Sequence, residues 1–214
     1  GHSAPLILSR YGGIGSHRYP VGFSGDTLMT WKTLDFLPYF TANATNVGYT
    51  WWSHDIGGHM LGEVNFELYV RHLQFGAFSP INRLHSSDAP SVSKEPWYYM
   101  NGSGLIAENY LRLRHAMIPY LYTANYRTHT EGRAIVEPLY YVFDQKQAYS
   151  YKNEYFFGSE MLVSPVTTPA KADGFARVDT WIPEGKWTDF FTGDVYEIPA
   201  GGKKVTLLRS LDHI

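Results

Sequence analysis

The chain has 214 residues, of which 44% are hydrophobic, enough to bury one good core or two modest ones. Its formal net charge of -2 gives no electrostatic reason to expect nucleic acid or an anionic membrane as a partner. The absence of cysteine excludes disulfides and thiol catalysis but leaves the cellular compartment open. No apolar run reaches the roughly 18 residues that a transmembrane helix needs.

Aromatic residues make up 16% of the chain, with 17 Tyr, 12 Phe and 6 Trp. Aromatic faces stack on the apolar faces of sugar rings, so this composition suits an enzyme that acts on carbohydrate. Large barrels and β-sandwiches also bury many aromatic side chains. Composition therefore leaves the carbohydrate and the purely structural interpretations open.

Four short apolar segments open the chain, each followed by charged or imidazole side chains and a loop rich in Gly or Ser. They cover residues 6–8, 21–24, 47–52 and 75–81. We predict these four as strands, separated by crossover helices over residues 31–44 and 67–75. This order is typical of successive strands of a (β/α)₈ barrel.

Active-site residues of such a barrel sit at the carboxyl ends of the strands. The charged residues that follow the four predicted strands are Arg10, Asp26, Asp55, Arg83 and His85. We therefore expect these five side chains to converge on one pocket.

The remainder of the chain changes character twice. Residues 86–100 have no clear period and predict a long loop, whereas residues 105–129 carry a broad apolar helical face. Pro119 should kink that helix or divide it. From about residue 133, short strand-like runs at 155–158, 161–166, 177–182 and 204–208 alternate with turn residues and predict an all-β domain.

Three motifs carry a family resemblance: SRYGGIGSHRYPVGFSGD, WWSHDIGG and FGAFSPINRLHS. In this order they resemble the second half of the catalytic barrel of glycoside hydrolase family 31, the α-glucosidase and α-xylosidase family. The segment PEGKWTDFFTGDVY is similar to the β-sandwich that follows the barrel in this family. The resemblance implies an α/β fold with the C-terminal half of a (β/α)₈ TIM barrel over residues 1–132 and an incomplete β-sandwich over residues 133–214.

The resemblance also implies the chemistry. Asp26 matches the general acid/base of a retaining glycosidase, and Asp55 matches an aspartate that binds hydroxyls of the sugar in the −1 subsite. The family's nucleophile lies on an earlier strand, which precedes Leu6 and is absent from this sequence. We therefore expect this chain alone to be inactive.

Other residues of the same subsite follow by resemblance. Arg10, Arg83 and His85 match positions that line it. Phe23 stands where many members have Trp, and His59 stands where many have Phe. Because both positions border the sugar pocket, these departures bear on substrate choice and not on the reaction type.

Simpler interpretations compete with these assignments. Asp26 could cap the helix that follows it, since Asp is a preferred N-cap residue. His54, Asp55 and His59 could supply three zinc ligands, but the paired glycines between them indicate a loop and no helical H-E-x-x-H motif is present. The resemblance implies no metal and no cofactor in catalysis.

The sequence thus predicts a glycosidase acting on terminal α-glucosidic bonds of an oligosaccharide. Another α-glycosidase, such as an α-xylosidase or α-galactosidase, and a non-catalytic carbohydrate-binding fragment are the alternatives. Half a barrel leaves strand edges and apolar faces uncovered, so we expect the missing N-terminal half or a second copy of the chain as partner.

Overall fold

The computed structural model describes residues 6–10, 12–19, 21–99 and 102–214. The elements before residue 132 are short strands and longer helices. In chain order they are β1 (Leu8–Ser9), β2 (Val21–Phe23), β3 (Leu28–Met29), α1 (Trp31–Ala44), β4 (Trp51–Ser53), β5 (Met60–Gly62), α2 (Phe66–Ala77), α3 (Ser103–Ala116) and α4 (Ile118–Glu131). The later elements are β6 (Val136–Pro138), α5 (Lys146–Ser150), β7 (Tyr155–Phe157), β8 (Met161–Val163), β9 (Ala176–Ile182), β10 (Gly185–Thr188), β11 (Val195–Ile198) and β12 (Lys203–Arg209).

A small parallel sheet forms the centre of the first part of the chain. Its strand order is β1-β2-β4, with Leu8 opposite Val21 and Val21 opposite Trp51. Beyond β4, Leu84 forms an isolated parallel bridge with Ile56. The three predicted strands at 6–8, 21–24 and 47–52 are thus present in shorter form, and the strands of the described residues do not close into a barrel.

The fourth predicted strand, residues 75–81, is wrong. Phe75, Gly76 and Ala77 form the last turn of α2, and every residue from Leu68 to Ala77 is buried. A short apolar run cannot distinguish a buried helix from a buried strand, because both lack a polar face. The strand-like pairing falls instead at Leu84, between Arg83 and His85.

The helices begin where the side chains supply caps. The Thr30 hydroxyl accepts from the Thr33 amide at the start of α1, and Asn65 accepts from the Leu68 amide at the start of α2. The long predicted helix is divided into α3 and α4 at Met117, and Pro119 lies in the first turn of α4, where its missing N–H costs nothing. Residues 86–99 form a long connection with only single 3₁₀ turns, as predicted.

Two arginines, the buried Arg71 and the half-buried Arg114, connect the elements. Arg114 of α3 donates to the carbonyls of Ala77, Ser79 and Pro80 at 2.6–2.9 Å, which satisfies the end of α2. Arg71 of α2 donates to carbonyls of the segment after β12, including that of His213 at 2.7 Å. The last residues of the chain therefore lie against α2.

The C-terminal strands form three small antiparallel sheets. Their strand orders are β6-β7-β8, β9-β12 and β10-β11. The seven-residue pair β9 and β12 has an unbroken register from Ala176 opposite Arg209 to Ile182 opposite Lys203. All-β structure after residue 133 is confirmed apart from the short helix α5, but the pairing of these strands does not establish a sandwich. In the part of the chain that the structure describes, no helix is long and apolar enough to cross a membrane.

Candidate active site

Backbone hydrogen bonds bring three loops together at the carboxyl ends of the parallel strands. The loops after β2 and β4 meet through the short pair β3 and β5, and the His59 amide donates to the Thr27 carbonyl at 2.8 Å. The Ser87 amide donates to the His59 carbonyl at 2.8 Å, which attaches the third loop. Side chains that are distant in sequence therefore face one another.

Glycine is required where the second of these loops turns. Gly58 has a φ of 85°, which L side chains rarely adopt, and a Cβ placed there would lie 2.8 Å from the Met29 Cα. The close passage of the loop over β3 thus depends on the second glycine of HDIGG. It leaves the next residue, His59, facing the loop that carries Asp26.

The structure brings all seven predicted site residues into one cluster, in which Asp26 is the more exposed carboxylate. Its side chain is 33% exposed, and Arg10 Nη1 lies 3.2 Å from Asp26 Oδ1. His59 Nε2 lies 3.8 Å from the other oxygen, Oδ2. Asp26 therefore has a solvent-facing carboxylate that a basic side chain orients.

Asp55 is the buried carboxylate, with a fully covered side chain. Arg83 Nη2 donates to Asp55 Oδ1, and Arg83 Nε donates to the Ser53 hydroxyl at 3.1 Å. Asp55 Oδ2 faces His59 Nδ1 at 3.4 Å, and neither atom has a hydrogen-bond partner among the described residues. Burial raises the pKa of the Asp55 carboxyl, and the charges of Arg83, His85 and His59 oppose that rise.

Phe23 and His85 complete the cluster. The Phe23 ring lies between two guanidinium groups, with Arg10 Cζ at 5.5 Å and Arg83 Cζ at 5.1 Å from its centroid. The imidazole of His85 is half-buried and lies 5.0 Å from that of His59, measured between ring centroids. Aromatic, basic and acidic groups thus share one surface.

The structure contradicts two of the simpler interpretations, the Asp26 helix cap and the zinc site that includes His54. Thr30, and not Asp26, is the N-cap of α1. His54 is fully buried and faces away from Asp55, because its ring nitrogens contact His72 Nε2 at 3.0 Å and Ser79 Oγ at 2.8 Å. Burial lowers the pKa of His54 and that of His72, the latter to about 3, so this pair is a neutral packing element beneath the site.

Sequence reasoning missed two residues that support the site. Ser53 holds the Arg83 guanidinium, and Lys94 runs beneath Gly57 with its ammonium donating to the Val92 carbonyl at 2.7 Å. Burial lowers the pKa of Lys94 to about 8. Ser53 could have been found from its place at the strand end beside Asp55, whereas Lys94 lies in a loop whose sequence carries no signal.

Three of the cluster residues also converge closely enough for a metal ion. Asp55, His59 and His85 each offer one ligand atom, and these three atoms lie within 4.8 Å of one another. The set differs from the one considered from sequence, since His85 takes the place of His54.

A parallel sheet with charged side chains gathered at the carboxyl ends of its strands defines the class of α/β enzymes. The sequence profile of the glycosyl hydrolases family 31 TIM-barrel domain matches residues 1–124, and that of the glycosyl hydrolase family 31 C-terminal domain matches residues 132–214. The chain belongs to glycoside hydrolase family 31.

Relatives and solved structures agree with this assignment. The chain is 32% identical to an α-xylosidase of Saccharolobus solfataricus over 98% of its own length and 28% of the relative's. It is 31% identical to α-glucosidase 2 of Bacillus thermoamyloliquefaciens over 90% of its length and 24% of the relative's.

Among structures, it resembles the cycloalternan-degrading enzyme from Trueperella pyogenes in complex with a covalent intermediate. The TM-score is 0.83 and the identity 26%, over 92% of this chain and 28% of that one. A xylosidase from Aspergillus niger has a TM-score of 0.83 and 31% identity, over 96% of this chain and 32% of that one. The chain thus spans less than a third of the length of these relatives.

Proposed function

We propose that the chain carries one side of the active site of a retaining glycoside hydrolase, with Asp26 as its general acid/base. The observation that carries this proposal is the Asp26 carboxylate itself, which is solvent-facing, oriented by Arg10 at 3.2 Å and placed beside aromatic and basic groups. Family membership supports the reaction class. The covalent intermediate bound in the relative from Trueperella pyogenes supports a two-step, retaining course.

In such a reaction Asp26 would protonate the departing glycosidic oxygen and then take a proton from the incoming water. Both roles require a carboxyl group that is accessible to the bound substrate and to water. Asp26 is 33% exposed, whereas Asp55 is fully covered. Exposure therefore favours Asp26 for proton transfer.

Asp55 is a poor candidate for the nucleophile. Arg83 occupies its Oδ1 and the His59 imidazole lies over its Oδ2, so neither oxygen is open to an anomeric carbon. We assign the nucleophile to a strand of the barrel outside this chain. Asp55 instead holds Arg83 and His59 in place, and it reaches a sugar hydroxyl only when His59 turns aside.

The fold proposal follows from the same elements. We propose that β1, β2, β4 and the bridge at Leu84 are consecutive strands of a (β/α)₈ barrel that a further segment completes, and that the C-terminal sheets belong to a β-sandwich. The parallel register and the intervening α1 and α2 support the barrel. The antiparallel pairing of all the strands after residue 133 supports the sandwich.

For the substrate we propose a terminal α-glucoside of an oligosaccharide. Arg83 and His85 can donate to vicinal sugar hydroxyls, and Phe23 offers an aromatic border. An α-xyloside is the second candidate, because the relative from Saccharolobus solfataricus is named an α-xylosidase. His59 and Phe23 also differ from the family's commonest residues at the pocket. A carbohydrate-binding piece without catalysis is the candidate from another class.

The test measures nitrophenol release from a nitrophenyl α-glucoside by this chain alone and by a longer protein that also supplies the rest of the barrel. We expect turnover only from the longer protein, and a loss of about 10²- to 10⁴-fold in Asp26→Asn with an unactivated α-glucoside. Azide should restore turnover of the nitrophenyl substrate, because it attacks the glycosyl-enzyme without needing a base. Asp144→Asn, at an exposed loop position, is the matched control.

Activity of this chain alone would contradict the proposal and move the nucleophile to a carboxylate within it, Asp55 first. Azide rescue of Asp55→Asn but not of Asp26→Asn would exchange the two roles. Sugar binding without turnover in the longer protein would favour the binding function.

A further inference from the structure

We propose that Asp55, His59 and His85 form a binding site for a single transition-metal ion of the Zn²⁺ type. The three side chains each offer one ligand atom, and the three atoms lie within 4.8 Å of one another. Carboxylate oxygen and imidazole nitrogen are ordinary zinc ligands. The ion would act as an occupant that excludes sugar, and it has no part in the chemistry proposed above.

The best-defined edge of the site already has the required length. His59 Nδ1 and Asp55 Oδ2 are 3.4 Å apart. Two ligands of a tetrahedral zinc ion, each about 2.0–2.1 Å from the metal, are separated by about 3.4 Å. Only the third ligand, from His85, needs to approach, and it lies on a half-buried side chain that can rotate.

The two atoms on that edge, His59 Nδ1 and Asp55 Oδ2, are also available to bind a ligand. Both are buried and neither has a hydrogen-bond partner among the described residues. A buried carboxylate oxygen that faces an imidazole nitrogen without a hydrogen bond is costly, and a cation shared between the two lone pairs removes that cost. Asp55 Oδ1 remains with Arg83, so the metal takes only the unpartnered oxygen.

The opposite nitrogen of His59 completes the arrangement. Nε2 lies 3.8 Å from Asp26 Oδ2, on the side away from Asp55. A carboxylate behind a metal-binding imidazole fixes its tautomer and raises its basicity. The nearby guanidinium of Arg83 opposes a further cation, and the Asp26 and Asp55 carboxylates offset it. We therefore expect binding at micromolar zinc and not the tighter affinity of a structural site.

The first measurement titrates the untagged chain with Zn²⁺ in competition with a chromogenic chelator. We expect one equivalent to bind, and roughly tenfold or weaker binding in His59→Phe and in His85→Gln, because each removes one of three ligands. His129→Gln, at an exposed position on α4, removes a histidine elsewhere and should leave the affinity unchanged. Circular dichroism of each variant checks that the fold is kept.

A second measurement needs no substitution. Co²⁺ added to the unsubstituted chain should develop the visible absorption of a low-symmetry, four-coordinate ion, and Zn²⁺ should bleach it. Unchanged zinc affinity in both ligand variants, an equal loss in His129→Gln, or a cobalt spectrum of the hexa-aquo ion would each overturn the proposal.

The consequence for activity rests on the proposed function, but the metal titration does not. In the active longer protein, Zn²⁺ should raise KM for the α-glucoside with little change in kcat, and His59→Phe should lessen that effect. One equivalent of bound zinc in a protein without turnover would leave the metal site standing while the proposed hydrolase function failed.

Discussion

At the scale of single residues, the charges of the site balance in pairs. Arg10 lies against Asp26, and Arg83 lies against Asp55. The second pair is the more consequential because the Asp55 side chain is fully covered while Arg83 is 28% exposed. Removing the arginine leaves a buried carboxylate with no charge partner other than the histidines, and such a loss costs more than the pair itself contributes.

Arg83→Met should therefore lower the free energy of unfolding by about 2–4 kcal/mol, because the covered Asp55 carboxylate loses its arginine partner. The midpoint of urea unfolding measures the effect. Arg112→Met removes an arginine that pairs with Glu108 on the exposed face of α3 and should change the midpoint little. Equal midpoints for Arg83→Met and the unsubstituted chain would show that water reaches Asp55.

At the scale of the elements, the strands before the site are held by aromatic packing. The Tyr49 ring lies across β2 and packs on Trp52, with ring centroids 4.9 Å apart. A Cβ on Gly22 would lie 2.5 Å from Tyr49 Cε1, so the strand accepts only glycine there. Because β2 ends at Phe23 and the loop after it carries Asp26, this contact lies next to the site.

Gly22→Ala should destabilise the chain by about 1–3 kcal/mol, because the buried Tyr49 ring has no room to move aside. Gly13→Ala is the matched control, since a Cβ at Gly13 would meet no atom within 4 Å. Thermal unfolding followed by circular dichroism compares the two. A melting temperature for Gly22→Ala at or above that of Gly13→Ala would refute the packing argument.

The C-terminal sheets contain a titrating group that links two of them. Glu154, just before β7, accepts from the Trp181 amide of β9 at 2.7 Å, and burial raises its pKa from 4.5 to about 8. Between these values the folded chain holds a proton that the unfolded chain releases. The free energy of unfolding should therefore fall as pH rises from about 4.5 to about 8.

Glu154→Gln keeps the acceptor for Trp181 and removes the ionisation. We expect this variant to lose a pH-dependent change of about 2–4 kcal/mol across that window. Urea unfolding at several pH values measures it, and Glu160→Gln, at an exposed position, should keep the slope of the unsubstituted chain. If the free energy of unfolding of Glu154→Gln changed with pH as steeply as that of the unsubstituted chain, the Glu154 carboxyl would have to be solvated.

At the scale of the whole molecule, exposed apolar side chains occur along much of the described chain, and four of them lie on two successive helices. On α3 and α4, Leu105 is 69% exposed, Ile118 50%, Tyr122 76% and Tyr126 62%. Exposed apolar surface of this kind favours association with another surface. We infer that it is covered either by the remainder of the barrel or by a second copy of the chain.

Size-exclusion chromatography of the chain alone should show concentration-dependent association or loss of material. Replacing both Ile118 and Tyr122 by Lys should shift the chain towards monomer, whereas Thr130→Lys, at an exposed polar position, should not. A stable monomer of 24.4 kDa at all concentrations would contradict the inference.

Much of the local structure could be predicted from the sequence. The helices α1 and α2, the division near Pro119 and the strands β7, β8, β9 and β12 follow from periodicity, turn residues and proline. Residues 75–81 could not, because an apolar run buried on all sides has the same pattern in a helix and in a strand. The short strands β10 and β11 were also not resolved as separate elements, since their residues alternate too briefly.

The sequence by itself determined the family, and it predicted the order of the main strands and helices and the seven residues that lie in one cluster. Those depend on local patterns and on motifs that are contiguous in the chain. Only the tertiary structure decided which of the two carboxylates is covered, that Thr30 and not Asp26 caps α1, and that His85 rather than His54 joins Asp55 and His59. The Thr30 cap is a local contact that depends on where α1 begins. The covering of Asp55 and the approach of His85 depend on contacts between loops more than 20 residues apart, which backbone pairing and burial select and sequence spacing does not.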